Sequence, residues 1–353
     1  MLTVRELYED IAKECQDFPI IKYEDCNIEL PHEQILGLKK CMVRLFNGGN
    51  KDYVKNVFND IARNPTYKNG KIYEVLVYNW LQDTCVHFDL QPKILKDDCF
   101  KKNNYEADGK IGNTIFDVKT FGLAIPLLKH LESELQKSPK TKGYLITVSG
   151  IYHIPNKDVE SMLKTKEDII DELLSDKHNN HGHYIWKMEN GIELRAQPKQ
   201  PMVSHVGSFH SGEWAHNNEM YFFYHGSQFT RSKPYMIFCP FDNKLLPFFN
   251  VIDEVFWAFR FLTRRMFMST FRFSNRMLNE FDEKAVPNIS LEVAAKKISA
   301  IVFMDVTKEW NYNDCRTWVY VNPNADNKIK NYEIDQWFRQ KGACVEDFLY
   351  DNY

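Results

Sequence analysis

Residues 105–120, YEADGKIGNTIFDVKT, predict a β-hairpin. Two short runs of strand-forming residues flank the dipeptide Gly112-Asn113, which is typical of two-residue hairpin turns. With these two residues at the turn, antiparallel pairing places Asp108 directly opposite Asp117. The hairpin therefore predicts two acidic side chains facing each other across neighbouring strands.

The predicted hairpin has one polar and one apolar face, because successive side chains along a strand point to opposite sides. Asp108 and Asp117 share their face with a second facing pair, Glu106 and Lys119. The opposite face carries Ala107, Phe116 and Val118.

Two facing carboxylates repel each other and need a compensating charge. Directly opposed Cβ atoms lie about 5 Å apart, where the repulsion is roughly 1 kcal/mol in water and larger in a partly buried site. A divalent cation such as Mg²⁺ offsets this cost, since it binds carboxylate oxygens and keeps positions for water and phosphate. Lys119 would then orient or deprotonate an attacking water, or neutralise charge developing on the phosphate.

Asp108, followed after a short spacer by Asp117-Val118-Lys119, resembles the D…(D/E)xK signature of the PD-(D/E)xK nucleases. This family includes many restriction endonucleases. The resemblance covers about residues 70–150 and implies that Asp108, Asp117 and the Val118 carbonyl bind Mg²⁺, or Mn²⁺ in its place, and that Lys119 is catalytic. Ala107 replaces the proline of the motif, and the QxxxY element of the exonuclease branch is not found after Lys119, which favours an endonuclease.

A helix before the hairpin offers a further acid. The resemblance implies that Glu74, in KIYEVLVYNWL, is an additional metal ligand. Lys71, Glu74, Tyr78 and Gln82 recur at helical spacing, however, so a solvated Glu74 paired with Lys71 is an equally good interpretation.

The order of predicted elements indicates an α/β or α+β fold with a mixed sheet flanked by helices. The resemblance implies a restriction-endonuclease-like sheet with additional helical and inserted segments. We predict an N-terminal helical region over 1–64, the nuclease core over 65–150, an insertion or recognition module over 151–234, and a C-terminal α/β region over 235–353 that completes the core.

Composition excludes several classes of protein. The 353 residues are 44% hydrophobic and 26% charged, as in soluble globular domains. No apolar stretch approaches the roughly 18 residues that span a bilayer, so we expect a cytoplasmic protein without a membrane partner. The eight cysteines form no CxxC pair, which indicates reduced thiols. The net charge of −3 means that a nucleic-acid surface must come from local clusters of Lys and Arg.

Three cations are candidates for contact with nucleic acid: Arg264 and Arg265, among many aromatics, and Lys142 in KSPKTKG. The aromatic stripe around the arginines is better interpreted as core, with the arginines reaching outward to solvent. The lysines of KSPKTKG and KDDCFKKNN lie closer in sequence to the hairpin and serve equally well as phosphate contacts or as surface charges. The histidine-rich segment 178–225 includes His178, His181 and His183, whose spacing does not match a helical zinc pair, so a solvated loop is the better interpretation.

Our leading hypothesis is a Mg²⁺-dependent endonuclease that hydrolyses DNA phosphodiester bonds as a restriction or defence enzyme. The resemblance implies double-stranded DNA as the partner and a homodimer that pairs two sites. The alternatives are a non-catalytic nucleic-acid-binding or assembly protein on a nuclease-like scaffold, and an enzyme that uses the histidine-rich segment with a transition metal.

Overall fold

The chain divides into two compact units in a computed structural model. The model describes residues 2–18, 27–28, 32–63, 70–120, 124–149, 156–188, 192–199, 215, 221–241, 252–268, 289–306 and 315–348. The main unit combines Met1–Phe121 with Phe222–Tyr353, and the inserted unit is Gly122–Tyr221.

The described helices form from segments such as VRELYEDIAKE, which carries apolar residues at three- and four-residue steps. Their bounds are α1 Val4–Glu14, α2 His32–Asn47, α3 Lys51–Arg63, α4 Gly70–Asp83, α5 Ala124–Gln136, α6 Asn156–Lys164, α7 Lys166–Leu173, α8 Ile252–Met268, α9 Leu291–Lys297 and α10 Asn331–Trp337. Thr3 begins α1 with a capping box, in which its side chain accepts from the Glu6 N–H and the Glu6 carboxylate accepts from the Thr3 N–H.

The described strands are short at the edges and long in the centre of the main sheet. They are β1 Leu2–Thr3, β2 Asn27–Ile28, β3 Asp89–Leu90, β4 Lys93–Ile94, β5 Tyr105–Glu106, β6 Gly109–Ile111, β7 Thr114–Val118, β8 Tyr144–Ser149, β9 Asn179–Asn180, β10 His183–Lys187, β11 Glu193–Pro198, β12 Tyr235–Phe241, β13 Ile298–Asp305, β14 Thr317–Val321 and β15 Cys344–Glu346.

The main unit is built on a seven-stranded mixed sheet in the order β15-β14-β13-β12-β7-β6-β3. Strands β7, β12 and β13 run parallel, while β6 pairs antiparallel with β7 and β14 pairs antiparallel with β13. Strand β12 is buried along its whole length, as expected when both faces of a parallel sheet are covered. The predicted mixed sheet flanked by helices is thus confirmed.

Helices pack on both faces of this sheet. On one face, apolar residues of α1 to α4 form a continuous core with Phe116 of β7, Phe238 of β12 and Val302 of β13. On the other face, Phe259 of α8 stacks on Phe303 of β13 with ring centroids 3.8 Å apart. The acid-bearing hairpin lies toward one side of this layered structure, beside β12.

The hairpin has the predicted register, with Ile111 opposite Thr114 and Gly109 opposite Phe116. Gly112 takes φ +57° at the turn, a conformation that glycine adopts without strain. The ladder ends at Gly109 and Phe116, and Asp108 lies just outside it, but the Asp108 N–H donates to Asp117 Oδ1 at 3.1 Å, so the two acids are neighbours across the hairpin.

The predicted pairing of Glu106 with Lys119 is wrong. Glu106 belongs to β5, which pairs with β4 in a separate two-stranded sheet and places Glu106 opposite Lys93. The chain turns away at Ala107, whose N–H donates to the Pro92 carbonyl at 3.1 Å. The Lys119 N–H instead donates to the Phe238 carbonyl at 2.8 Å.

The inserted unit begins earlier than the predicted boundary at residue 151. Strand β8, which we predicted in the nuclease core of 65–150, pairs with β11 in a four-stranded sheet of order β8-β11-β10-β9. Helices α5 to α7 accompany this sheet within Gly122–Tyr221. The helix and strand after the hairpin therefore belong to the insertion, because their pairing partners lie further along the chain.

Two expectations from composition concern membrane crossing and the cysteines. Among the described residues, no helix combines the length and the apolar character that a bilayer crossing needs. The seven cysteines in the described part of the chain are all free thiols.

Candidate functional site

The Asp108 and Asp117 side chains reach across the hairpin and are held by backbone N–H groups of the facing strand. The Asp108 N–H donates to Asp117 Oδ1 at 3.1 Å, and the Val118 N–H donates to Asp108 Oδ2 at 2.6 Å. These reciprocal bonds fix both carboxylates and keep them close together, in the arrangement that the hairpin register predicted.

Asp117 is the more deeply buried acid, with 1% of the residue exposed. Its Oδ2 accepts a hydrogen bond from the hydroxyl of Tyr235 at 2.5 Å and lies 3.7 Å from Lys119 Nζ. Tyr235 lies on β12, the parallel neighbour of β7, and is completely buried. A buried carboxylate is thus stabilised by a neutral donor on one strand and by an ammonium group close by.

Glu74 of α4 is buried, with 4% exposed, and both of its carboxylate oxygens are occupied. Oε1 accepts from the Tyr53 hydroxyl at 2.8 Å, and Oε2 accepts from Lys71 Nζ at 2.7 Å. One interpretation of the sequence pairs Glu74 with Lys71 on a solvated helix face. The pairing is present, but the Glu74 carboxylate is buried.

Tyr78 connects Glu74 to the hairpin. Its hydroxyl lies 3.0 Å from Glu74 Oε1 and 2.6 Å from the Asp108 carbonyl oxygen. The side chain is fully buried, so this bridge is shielded from water. Helix α4 therefore holds the Asp108 backbone in place through Tyr78, which also contacts Glu74.

The like charges change the acidity of Asp108. Burial, and then the charges of Asp117 and Glu74, raise the pKa of Asp108 from 3.8 to about 7, against the opposing effects of Lys119 and the Val118 N–H. Burial and Asp117 also hold the pKa of the Tyr235 hydroxyl well above its usual value, so it remains a donor.

We expect Asp108 to make the cation-free protein less stable as the pH rises. Its pKa is higher in the folded than in the unfolded chain, so the folded state holds an extra proton between about pH 4 and 7, and stability falls across that window. Allowing for partial solvent exposure, the loss is on the order of 2 kcal/mol. Urea unfolding in EDTA at pH 5 and pH 8 measures it, and Asp108→Asn should reduce the pH dependence by that amount. An identical pH dependence in the variant would contradict this account.

The donors in this site suit a hard divalent cation. Asp108 Oδ1 accepts no hydrogen bond from a described residue, so it has lone pairs to offer to a cation. Carboxylate oxygens without Cys or His favour Mg²⁺ or Mn²⁺ over softer metals. Within the described ranges, no three His, Cys, Asp or Glu side chains form a metal-binding group, in keeping with the occupied oxygens of Glu74.

The basic residues nominated from the sequence belong to other elements. Arg264 and Arg265 are on α8, which packs on β12 and β13 through Phe259 and pairs with β15 through Arg260, and no described contact joins either arginine to Asp108 or Asp117. Lys142 is exposed and belongs to the inserted unit.

The histidines do not gather into a site within the described residues. His178 stacks on Trp186, with ring centroids 5.3 Å apart, and its Nε2 lies 3.3 Å from Glu172 Oε1. These contacts indicate a structural role for His178. His181 lies at the turn between β9 and β10, and His183 begins β10. Both are exposed, so the predicted solvated loop is instead a short hairpin on the surface of the inserted unit.

The assignment of the acid pair rests on its own residues. No family model, curated protein or solved structure matches this chain. The resemblance to PD-(D/E)xK nucleases thus depends on Asp108, Asp117 and Lys119 and stays a prediction.

Sequence reasoning missed the three tyrosines that hold the acids. Tyr78 carried a usable signal, since it follows Glu74 by four residues on one helix face. Tyr53 and Tyr235 carried none, because each reaches its carboxylate from a distant part of the chain.

Proposed function

We propose that this protein is a metal-dependent endonuclease of the PD-(D/E)xK type that hydrolyses DNA phosphodiester bonds. One observation carries the proposal: two carboxylates, Asp108 and Asp117, are held together across a hairpin with the Lys119 ammonium 3.7 Å from Asp117 Oδ2. Such a cluster costs free energy unless a cation joins it, and a cation at this place can serve phosphate chemistry.

Each residue has a separate role in the proposed reaction. Asp108, Asp117 and the Val118 carbonyl would hold Mg²⁺ or Mn²⁺, which would supply a Lewis acid for the phosphodiester and for the attacking water. Lys119 donates to a phosphate oxygen or to the attacking water, and its short distance from Asp117 restricts where the ammonium can move. Glu74, held by Tyr53 and Lys71, adds negative potential that strengthens cation binding at Asp108.

The arrangement of the strands supports a restriction-endonuclease-like sheet. The acid-bearing hairpin β6-β7 follows a helix that carries an acid, and β7 then pairs in parallel with β12. The inserted unit separates β7 from β12 in sequence and supplies surface for recognition of the target. We further propose double-stranded DNA as the substrate and a homodimer for cutting both strands, in the cytoplasm, with a restriction or defence role.

Cleavage that depends on a divalent cation tests the proposal. We expect the wild-type protein to nick or linearise supercoiled plasmid in Mg²⁺ or Mn²⁺ and to leave it intact in EDTA, because the carboxylates are inactive without a cation. Agarose gels over a time course measure the products. Cutting that persists in EDTA, or no cutting of plasmid, linear duplex or single strand in either metal, would contradict it. Tight DNA binding without any cleavage would favour the non-catalytic scaffold.

A further inference from the structure

Cations in the main unit are commonly paired with acids. Lys40 and Arg44 both pair with Asp83, and Arg260 pairs with Glu346. A different group of cations, in 96–102 and 231–233, forms no ion pair with any residue in the described part of the chain. These cations are Lys96, Lys101, Lys102, Arg231 and Lys233.

The two segments that carry these cations are joined to each other. Cys99 and Thr230 form an isolated antiparallel bridge, and the Arg231 N–H donates to the Asp98 carbonyl at 2.8 Å. Arg231 Nε donates to the Cys99 carbonyl at 2.8 Å. These cations therefore lie on one continuous surface, which we call the basic surface.

Local contacts hold two of the cations in place. The Arg231 guanidinium lies 4.2 Å from the centroid of the Phe100 ring, and Lys101 Nζ lies 4.7 Å from that of Tyr105. Cation–π contacts orient a charge without neutralising it. The only acids within these two segments are Asp97 and Asp98, so five positive charges exceed two negative ones.

The basic surface borders the acid pair. The Tyr105 hydroxyl donates to the Gln228 carbonyl at 2.5 Å, which ties the start of β5 to the segment that leads into Tyr235. Asp108 follows Tyr105 by three residues, and Tyr235 donates to Asp117. In sequence, residues 96–102 therefore lead to Asp108, and residues 231–233 lead to Tyr235, which donates to Asp117.

We propose that the basic surface binds the phosphate backbone of the nucleic-acid strand presented to Asp108 and Asp117. The proposal rests on the proposed nuclease function. It assigns the substrate contact to residues 96–102 and 231–233, in place of Arg264, Arg265 and Lys142. Five cations without acidic partners match a polyanion, and an overall charge of −3 leaves little attraction elsewhere.

The same surface contacts phosphates and not bases. Phe100 and Tyr105 are each 8% exposed, so their rings are covered and cannot stack with nucleotide bases. Phosphate contacts position a strand without reading its sequence. We therefore expect binding through this surface to depend strongly on salt and weakly on base composition.

The double variant Lys96→Glu, Lys102→Glu tests the basic surface. Fluorescence anisotropy of a labelled duplex and of its single strand, in EDTA to prevent cleavage, measures Kd over a range of salt concentrations. We expect Kd to rise at least about tenfold near 0.1 M salt, and the slope of log Kd against log salt to fall by about 2 for the duplex. Lys51→Glu, Lys55→Glu on α3 is the matched control, since both lysines are exposed and the charge change is equal.

The outcomes separate the surface from the proposed function. Normal Kd in the Lys96/Lys102 variant, or an equal loss in the Lys51/Lys55 variant, would overturn the basic surface even if the wild type cleaves DNA. Weakened binding in the Lys96/Lys102 variant alone supports the surface even if no cleavage occurs, in which case only the nuclease fails. A wild-type protein that binds neither oligonucleotide would overturn both.

Discussion

Substitution Asp117→Asn is expected to reduce DNA cleavage by about a thousandfold or more. It removes one of two negative charges that would hold the cation, and a loss of several kcal/mol in transition-state stabilisation corresponds to a factor of this size. An amide has nearly the shape of the carboxylate: its oxygen can accept from the Asp108 N–H, and its NH2 group can donate to the Tyr235 hydroxyl oxygen, so the site keeps its form. Plasmid cleavage rates in Mg²⁺, measured with enzyme in excess, give the comparison.

A stability measurement separates this effect from unfolding. Asp117 is 1% exposed and lies beside Asp108, so neutralising it relieves repulsion. We therefore expect the thermal midpoint of Asp117→Asn in EDTA to equal or exceed that of the wild type. Lys119→Ala should lose cleavage to a similar extent. A wild-type cleavage rate in Asp117→Asn or in Lys119→Ala would contradict the assignment of these residues to an active site.

Substitution Gly109→Ala is expected to destabilise the main unit by about 3 kcal/mol, since overpacking a filled core has costs of this order. A Cβ at position 109 would lie 2.2 Å from Cζ of Phe116, its partner across the hairpin. The Phe116 ring is fully buried and packs against Phe238 at a centroid distance of 5.0 Å, so it cannot move aside cheaply. Thermal unfolding should show a midpoint lower by roughly 6 °C.

Gly70→Ala provides the matched control for Gly109→Ala. A Cβ at Gly70, the first residue of α4, would meet no atom of a described residue within 4 Å. We expect its stability to change by less than about 0.5 kcal/mol, or to rise slightly because alanine restricts the unfolded chain. A Gly109→Ala protein as stable as Gly70→Ala would show that Phe116 can be displaced without cost.

Local features of the hairpin were predictable because their causes lie within a few residues. Gly112-Asn113 specifies a two-residue turn, and the two-residue period of a strand then places Asp108 opposite Asp117. The apolar runs of β12 and β13 are also typical of strands buried on both faces, although neither run by itself specifies that the two pair in parallel. Secondary structure and the facing acids thus follow from short-range rules.

The pairing of strands and the partners of buried polar groups depended on contacts between distant parts of the chain. Sequence patterns placed Glu106 beside Lys119, but competition from β4 removed Glu106 from the hairpin. Glu74 looked solvated when paired with Lys71, whereas the structure buries its carboxylate and adds Tyr53 as a second partner. Which strand pairs with which, and which polar groups meet in the core, is decided by the total free energy of long-range packing. No periodicity along the chain records that free energy, because it arises only when remote segments compete for the same partners.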